Sequence, residues 1–464
     1  MHPRPVPAGS PRPRPRDEES APAGRTPAGR PAPGDRVRTR ARGFLRPVTA
    51  ATVLALAAAL GPGVQPASAH GPDRHWVGAW AASQVAGSEI PGNDCPAGAG
   101  LENQTVRNVL YVSAGGDSVR VRLANTFGAG PVTVDHVTVA QQKENADAVP
   151  GTMRTLTFHG RRATTIPAGR ELFSDPVRIP VEALSTLLVS VYVEEATGPL
   201  TNHPFTAQGN HLADGDRARD TTGGDYAGTP CWMLVSGVDV RKSARTAGTV
   251  VAFGDSITDT ANTTGNANQR YPDHLARRLR EVPGRTLSVV NAGLGGNRLI
   301  ADREGEPFYG VSGLARMERD AFGQTGVRSV IMLEGINDIG FSAPAEDIIA
   351  GYRAFVEAAH EHGVEVYGGT LLPFRGSFMW TEERQAVWDE VNDWIRHSGE
   401  FDGVVDFAAA TASADDPLTL DPAYDSGDGL HPNDAGTKAM ADAVDLDLLL
   451  AGDRDRGRPA AGGR

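Results

Sequence analysis

From Ala247 onward, short apolar runs alternate with longer stretches of helical period. Residues 249–253, 287–291, 328–333, 364–370 and 403–407 read as strands, and 271–281, 345–362, 381–398 and 434–450 as helices. Strands that are apolar almost throughout need cover on both faces, and helices interleaved between them supply it. The pattern therefore predicts an α/β domain built on a parallel sheet. In such sheets ligands bind beyond the carboxyl ends of the strands.

The preceding stretch, residues 76–241, has a different period. Ser118-Val119-Arg120-Val121-Arg122-Leu123 alternates polar and apolar side chains, residues 132–139 repeat the pattern, and 187–193 read as a more buried strand. Gly, Pro, Asn and Asp separate these runs, and no long amphipathic helix interrupts them. This half is expected to be a mostly-β, sandwich-like unit. With 464 residues the chain exceeds one ordinary core. The expected division is an extension and signal segment over 1–69, a β-rich accessory domain over 70–245, the α/β domain over 246–452, and a flexible tail over 453–464.

Residues 36–46 carry five Arg and no acidic residue, an apolar run follows over 48–60, and Ala67-Ser68-Ala69 completes a cleavage pattern. The run is short for a membrane span. The expectation is a secretory signal cleaved near Ala69/His70, an extracellular protein, and no stable membrane anchor. The net charge is −12, and without residues 1–69 there remain 34 basic and 53 acidic residues, a net of −19. Such a body is repelled by nucleic acid. Cys95 and Cys231 are the only cysteines. Export makes a disulfide between them the expectation, worth on the order of 4–5 kcal/mol for so long a loop in the chain-entropy model. No Cys/His spacing suits zinc.

Four short segments carry chemistry, each just after a strand or before the last helix. Gly254-Asp255-Ser256-Ile257-Thr258 can turn tightly and expose a serine hydroxyl, although Asp and Ser also simply cap helices. Asn291-Ala292-Gly293-Leu294-Gly295-Gly296-Asn297-Arg298 lets a backbone amide approach a substrate oxygen, or is only a glycine-rich turn. Its spacing is not that of a dinucleotide loop. In Gly335-Ile336-Asn337-Asp338 the Asn amide can donate to an oxyanion while Asp338 holds the turn. Asp428-Gly429-Leu430-His431 supplies a base and a carboxylate to orient it. Asp425 and Asp421 are rival orienters. Singly none decides; their order and common placement do.

Together the four blocks resemble those of the SGNH hydrolases, the GDSL esterase/lipase superfamily, with Ile257 where the family name has Leu. The resemblance covers about residues 247–451. It implies a flavodoxin-like fold and catalysis without metal or organic cofactor. It implies Ser256, Asp428 and His431 as catalytic residues, and Ser256, Gly296 and Asn337 as the oxyanion hole. The β half is similar to that of secreted bacterial members, through His75-Trp76-Val77-Gly78-Ala79-Trp80-Ala81 and the stretch from Ser118 to Gly128.

The expectation is a monomeric serine esterase acting through an acyl-enzyme on short-chain or O-acetyl esters, of small molecules or of polysaccharides. A lipase for longer acyl chains is the alternative, with residues 371–374 and 378–380 as its apolar lip. An inactive carbohydrate-binding protein is the alternative of another class. Trp76, Trp80, Tyr111 and Trp232 either stack on sugars or pack in the core.

Overall fold

The computed structural model describes residues 75–259 and 262–456, with side chains to 451. The signal segment expected over 36–69 lies outside the described residues, as does the chain beyond 456.

Five strands form one parallel sheet: β1 (Thr246–Gly254), β2 (Thr286–Gly293), β3 (Val327–Leu333), β4 (Glu365–Gly369) and β5 (Gly403–Val405). Their order is β2-β1-β3-β4-β5, every pair parallel. The direction of winding reverses at β1, so its carboxyl end is the switch point where a crevice opens. Register sharpens this: Gly254 lies level with Gly293 on one side and Leu333 on the other. Three of the four motif loops thus leave the sheet along one line.

The helices are α1 (Ser256–Asp259), α2 (Tyr271–Glu281), α3 (Gly313–Met317), α4 (Ile336–Gly340), α5 (Ala345–Glu361), α6 (Glu382–His397), α7 (Phe407–Thr411), α8 (Asp434–Ala443) and α9 (Leu446–Arg456). Local chemistry sets several boundaries. Thr381 accepts from Arg384 N–H to begin α6. Asp406 accepts from Ala409 N–H to begin α7, which cuts short the strand expected to reach 407. The long final helix expected over 434–450 is two helices. Val444 is extended, and Asp445 starts the second by accepting from Asp447 N–H. Helix α9 runs four residues into the tail expected from 453.

Residues 76–242 are mostly strands, and every ladder between them is antiparallel. Trp76–Ala81, Val235–Lys242, Gly116–Asn125 and Val177–Val181 make one sheet. A second is centred on Gln104–Val112, Ser185–Val193 and His136–Glu144. Val121 and Val238 from the first meet Val106, Leu110 and Val189 from the second in one core. The alternating run 132–139 is two strands, because the chain changes partner at Asp135: Val132–Val134 pairs with Thr164–Ile166, and His136–Glu144 with Ser185–Val193. Trp76, Trp80 and Trp232 are buried, the last two packed edge to face at 5.1 Å, and Tyr111 is half-buried. Cys95 and Cys231 are bonded to each other, closing a loop of 136 residues.

The two halves are joined by residues 243–245 alone in sequence, but by much more in space. Gly78 N–H donates to Thr325 O at 2.9 Å, Val289 N–H to Ser113 Oγ at 3.1 Å, and Arg122 to Gln324 Oε1 at 2.9 Å. Among the described residues no helix is long and apolar enough to cross a membrane.

Candidate active site

Ser256 opens α1 directly after β1, and His431 sits two residues before Asn433, whose side chain caps α8 by accepting from Ala435 and Gly436 N–H. These anchors bring Ser256 Oγ within 2.8 Å of His431 Nε2. Asp428 Oδ2 lies 2.7 Å from His431 Nδ1, and Asp428 Oδ1 accepts from His431 N–H at 2.8 Å and Leu430 N–H at 3.0 Å. The rival carboxylates face elsewhere: Asp425 holds the Gly427 and Gly429 amides, and Asp421 the Ala423 amide. Burial pushes the Asp428 carboxyl up, but the His431 amide and ring outweigh it and hold the group below the usual range. This arrangement can pass a proton from Ser256 Oγ to an imidazole whose charged form is steadied from behind.

Gly296 and Asn337 line the same cavity as Ser256 and His431. Gly296 has φ +70°, and a Cβ there would stand 2.3 Å from the Tyr309 ring, so both backbone and space require glycine. Asn337 Nδ2 donates to Asn297 O at 2.8 Å, which aims the amide and leaves its second hydrogen for a ligand. Asp338 interacts with its own backbone amide, as expected of a residue that holds the turn, and also reaches the second block. It is buried and accepts from Leu299 N–H at 2.7 Å and Ile300 N–H at 3.2 Å, fastening the exit of the second block.

Beneath these loops lies a polar layer the sequence does not advertise. Arg316, on α3, is wholly buried, and its guanidinium reaches Gly254 O, Ala292 O, Asn297 Oδ1, Ser83 Oγ, Glu334 and Asp320. One cation thus ties the ends of β1, β2 and β3 together and adds Ser83 from the β half. Glu334 is pushed well up by burial and by Asp255. Asp255 accepts from Ile257 N–H through one oxygen. Burial raises its carboxyl to about 7, with Asp338 adding repulsion against the lowering effects of Ile257 N–H and Arg316.

That shift has a signed consequence. The folded protein binds the Asp255 proton more tightly than the unfolded chain, so this contribution to stability is full below pH 3.8 and is lost as pH rises through about 7. Asp255→Asn removes it. The Tm of the variant, relative to wild type, is expected to climb steadily between pH 4 and 7. Thermal melts across that range check this; a constant difference would mean Asp255 is already ionised at pH 4.

The cavity at the serine has a volume of about 510 Å³. Its walls include side chains that sequence reasoning missed. Phe205 and Ala207 come from the β half, both non-glycine residues with positive φ, at 58° and 43°. Their loop is pinned to the segment after Ser256 by Asn266, which accepts from Gly209 N–H and donates its own N–H to Ala207 O. Phe205 stacks against Tyr309 at 6.4 Å, and the Arg303 guanidinium lies over Tyr309 at 3.6 Å while pairing with Glu306. Of the segments expected to form an apolar lip, Leu371, Leu372 and Phe374 are buried, and Phe378 alone is open, at 85 % exposure. A cavity of similar volume at the other end of the sheet, bordered by Ser113, Arg280 and Thr286, is reached by none of the four motifs.

Residues 252–439 match the model of the GDSL-like lipase/acylhydrolase family. This part of the chain is a GDSL hydrolase domain, and the protein is a carboxylic ester hydrolase. No curated protein matches the chain. Among solved structures it is similar to an acetylxylan esterase from Geobacillus stearothermophilus, at 22% identity over 47% of this chain and 98% of that one, with a TM-score of 0.32. It is also similar to an aryl esterase from M. smegmatis, at 16% identity over 45% and 98%, TM-score 0.34. A GDSL-like lipase from Bacteroides thetaiotaomicron aligns at 18% over 44% and 88%, TM-score 0.34.

Proposed function

We propose that this protein is a secreted, monomeric serine esterase that cleaves short-chain or O-acetyl esters, including those on carbohydrate, through an acyl-enzyme. The observation that carries the reading is the unbroken chain Ser256 Oγ, His431 Nε2, His431 Nδ1, Asp428 Oδ2 at the edge of one cavity. His431 takes the Ser256 proton as Oγ attacks the ester carbonyl. The N–H groups of Ser256 and Gly296 and the Asn337 side chain hold the oxyanion. His431 then protonates the departing alkoxide, and water repeats the cycle to release the acid.

The preference for short acyl groups follows from the burial of Leu371, Leu372 and Phe374, which denies a long chain an apolar trench on that side. Asn262, Thr263 and Arg303 give the alcohol side a polar rim. Export is supported by the Cys95–Cys231 bond, since such bonds persist in oxidising compartments. In architecture the reading is a flavodoxin-like hydrolase domain over 246–452 carrying a sandwich-like β unit over 70–245. Phe378, exposed beside the cavity, favours one second reading, a lipase for longer chains.

Purified residues 70–464 on activated esters of rising chain length and on acetylated xylan separate these. The expected optimum is acetate or propionate, with acetic acid released from the polymer. An optimum at eight carbons or more would support the lipase, and no turnover of any ester would sink both.

A further inference from the structure

We infer that His203, in the β half, is a positioning residue for the oxyanion loop, and that it acts through Asp259. This rests on the esterase reading above and extends the site into residues no motif contains. His203 and Asp259 are both buried, with side chains only 1% and 3% exposed. His203 Nδ1 lies 2.6 Å from Ser83 O and Nε2 lies 3.0 Å from Asp259 Oδ1. A carbonyl oxygen only accepts, so Nδ1 carries hydrogen and donates. Nε2 then faces a carboxylate, so one proton is held between ring and carboxyl. The other oxygen, Asp259 Oδ2, accepts from Gly295 N–H at 3.0 Å.

The chain of contacts therefore runs from a carbonyl of the β half, through His203 and Asp259, to the peptide immediately before Gly296. Among the described residues, no hydrogen bond occupies the Gly296 N–H. Holding the Gly295 N–H fixes the Leu294–Gly295 peptide, which adjoins the peptide that carries the Gly296 N–H at the cavity's edge. Asp259 is also the last residue of α1, the turn that begins with Ser256, so the same pair holds nucleophile and oxyanion donor in one frame. Trp232 covers the imidazole at 5.3 Å and keeps water from it. A buried, hydrogen-bonded ion pair is poor as a source of stability, whereas an oriented dipole in a dry site matters strongly to a developing charge.

Displacing a reacting group by about 1 Å costs on the order of 10² in rate. His203→Ala and Asp259→Ala are expected to lower kcat by about that factor. KM should stay within about threefold, because only an interaction made in the transition state is lost. Affinity for a boronic acid, which forms a tetrahedral adduct on serine, should fall in parallel with kcat. Asp259→Asn should keep most activity: its carbonyl accepts from Gly295 N–H, and its amide donates to the unprotonated Nε2 of His203. Rates are expressed per active site, counted by the burst from an activated acetyl ester, so that a merely structural loss lowers the count and not kcat. Should the alanine variants fail to fold, His203→Gln decides, since a carboxamide reaches one partner but not both; a kcat loss of about tenfold or more is expected.

A folded His203 variant with wild-type kcat, a loss confined to KM, or Asp259→Asn as impaired as Asp259→Ala would each overturn the inference while leaving the esterase standing. A wild-type protein with no ester turnover overturns both.

Discussion

Ser256→Ala is expected to yield a folded protein with no burst of product from an activated acetyl ester and no steady turnover above background. In a serine hydrolase site, loss of the nucleophile removes on the order of 10⁶ in kcat. The side chain is small and only half-buried, and it hydrogen-bonds to His431, so folding should be untouched. Matching far-ultraviolet circular dichroism and melting curves establish that control. Asp428→Asn should be milder, since it keeps the loop contacts to Leu430 and His431 N–H while spoiling the ring tautomer. Residual turnover in Ser256→Ala close to wild type would overturn the proposed mechanism.

Arg316→Met is expected to destabilise the protein by about 3–5 kcal/mol, the usual result of stripping one partner from a buried ion pair. Glu334 would lose its cation, Asp320 would keep only Arg319, and the carbonyls of Gly254 and Ala292 would lose a shared donor. Denaturant melts of the single variant and of Arg316→Met/Glu334→Gln give the measurement. The double variant should recover part of the loss, because a neutral amide costs less to bury than an orphaned carboxylate. Equal stability of Arg316→Met and wild type would show that the carboxylates are already satisfied by protonation.

The proposed catalytic residues were legible because three of their four segments follow strands and the fourth precedes a helix, and strands of a buried parallel sheet announce themselves as apolar runs. The switch point of the sheet then gathers those loops without further information. Asp428 could be separated from Asp425 only by coordinates, since both lie on the same loop and only the bulge around Gly427 and Gly429 decides which carboxylate meets the ring. Arg316, His203 and Asp259 were illegible for another reason. Each is a charged or titratable residue whose role depends on burial among partners distant in sequence, 233 residues in the case of Arg316 and Ser83. Hydrophobic period records which faces are covered and says nothing about such pairings. Phe205 was hidden likewise, as an aromatic in an irregular loop that reaches the cavity only because Asn266 ties it there.

The three-residue connector has a practical meaning for recombination. Val235–Lys242 ends one sheet and Thr246–Gly254 begins the other with almost no slack, so the halves cannot swing apart on a hinge. A chimaera spliced at 243–245 would inherit a foreign counterpart for the loop at Phe205, for the Asn266 clasp, and for the Ser83 and His203 contacts. Exchangeable parts of this enzyme are therefore defined by those matched contacts, and a viable transplant must carry both sides of them together.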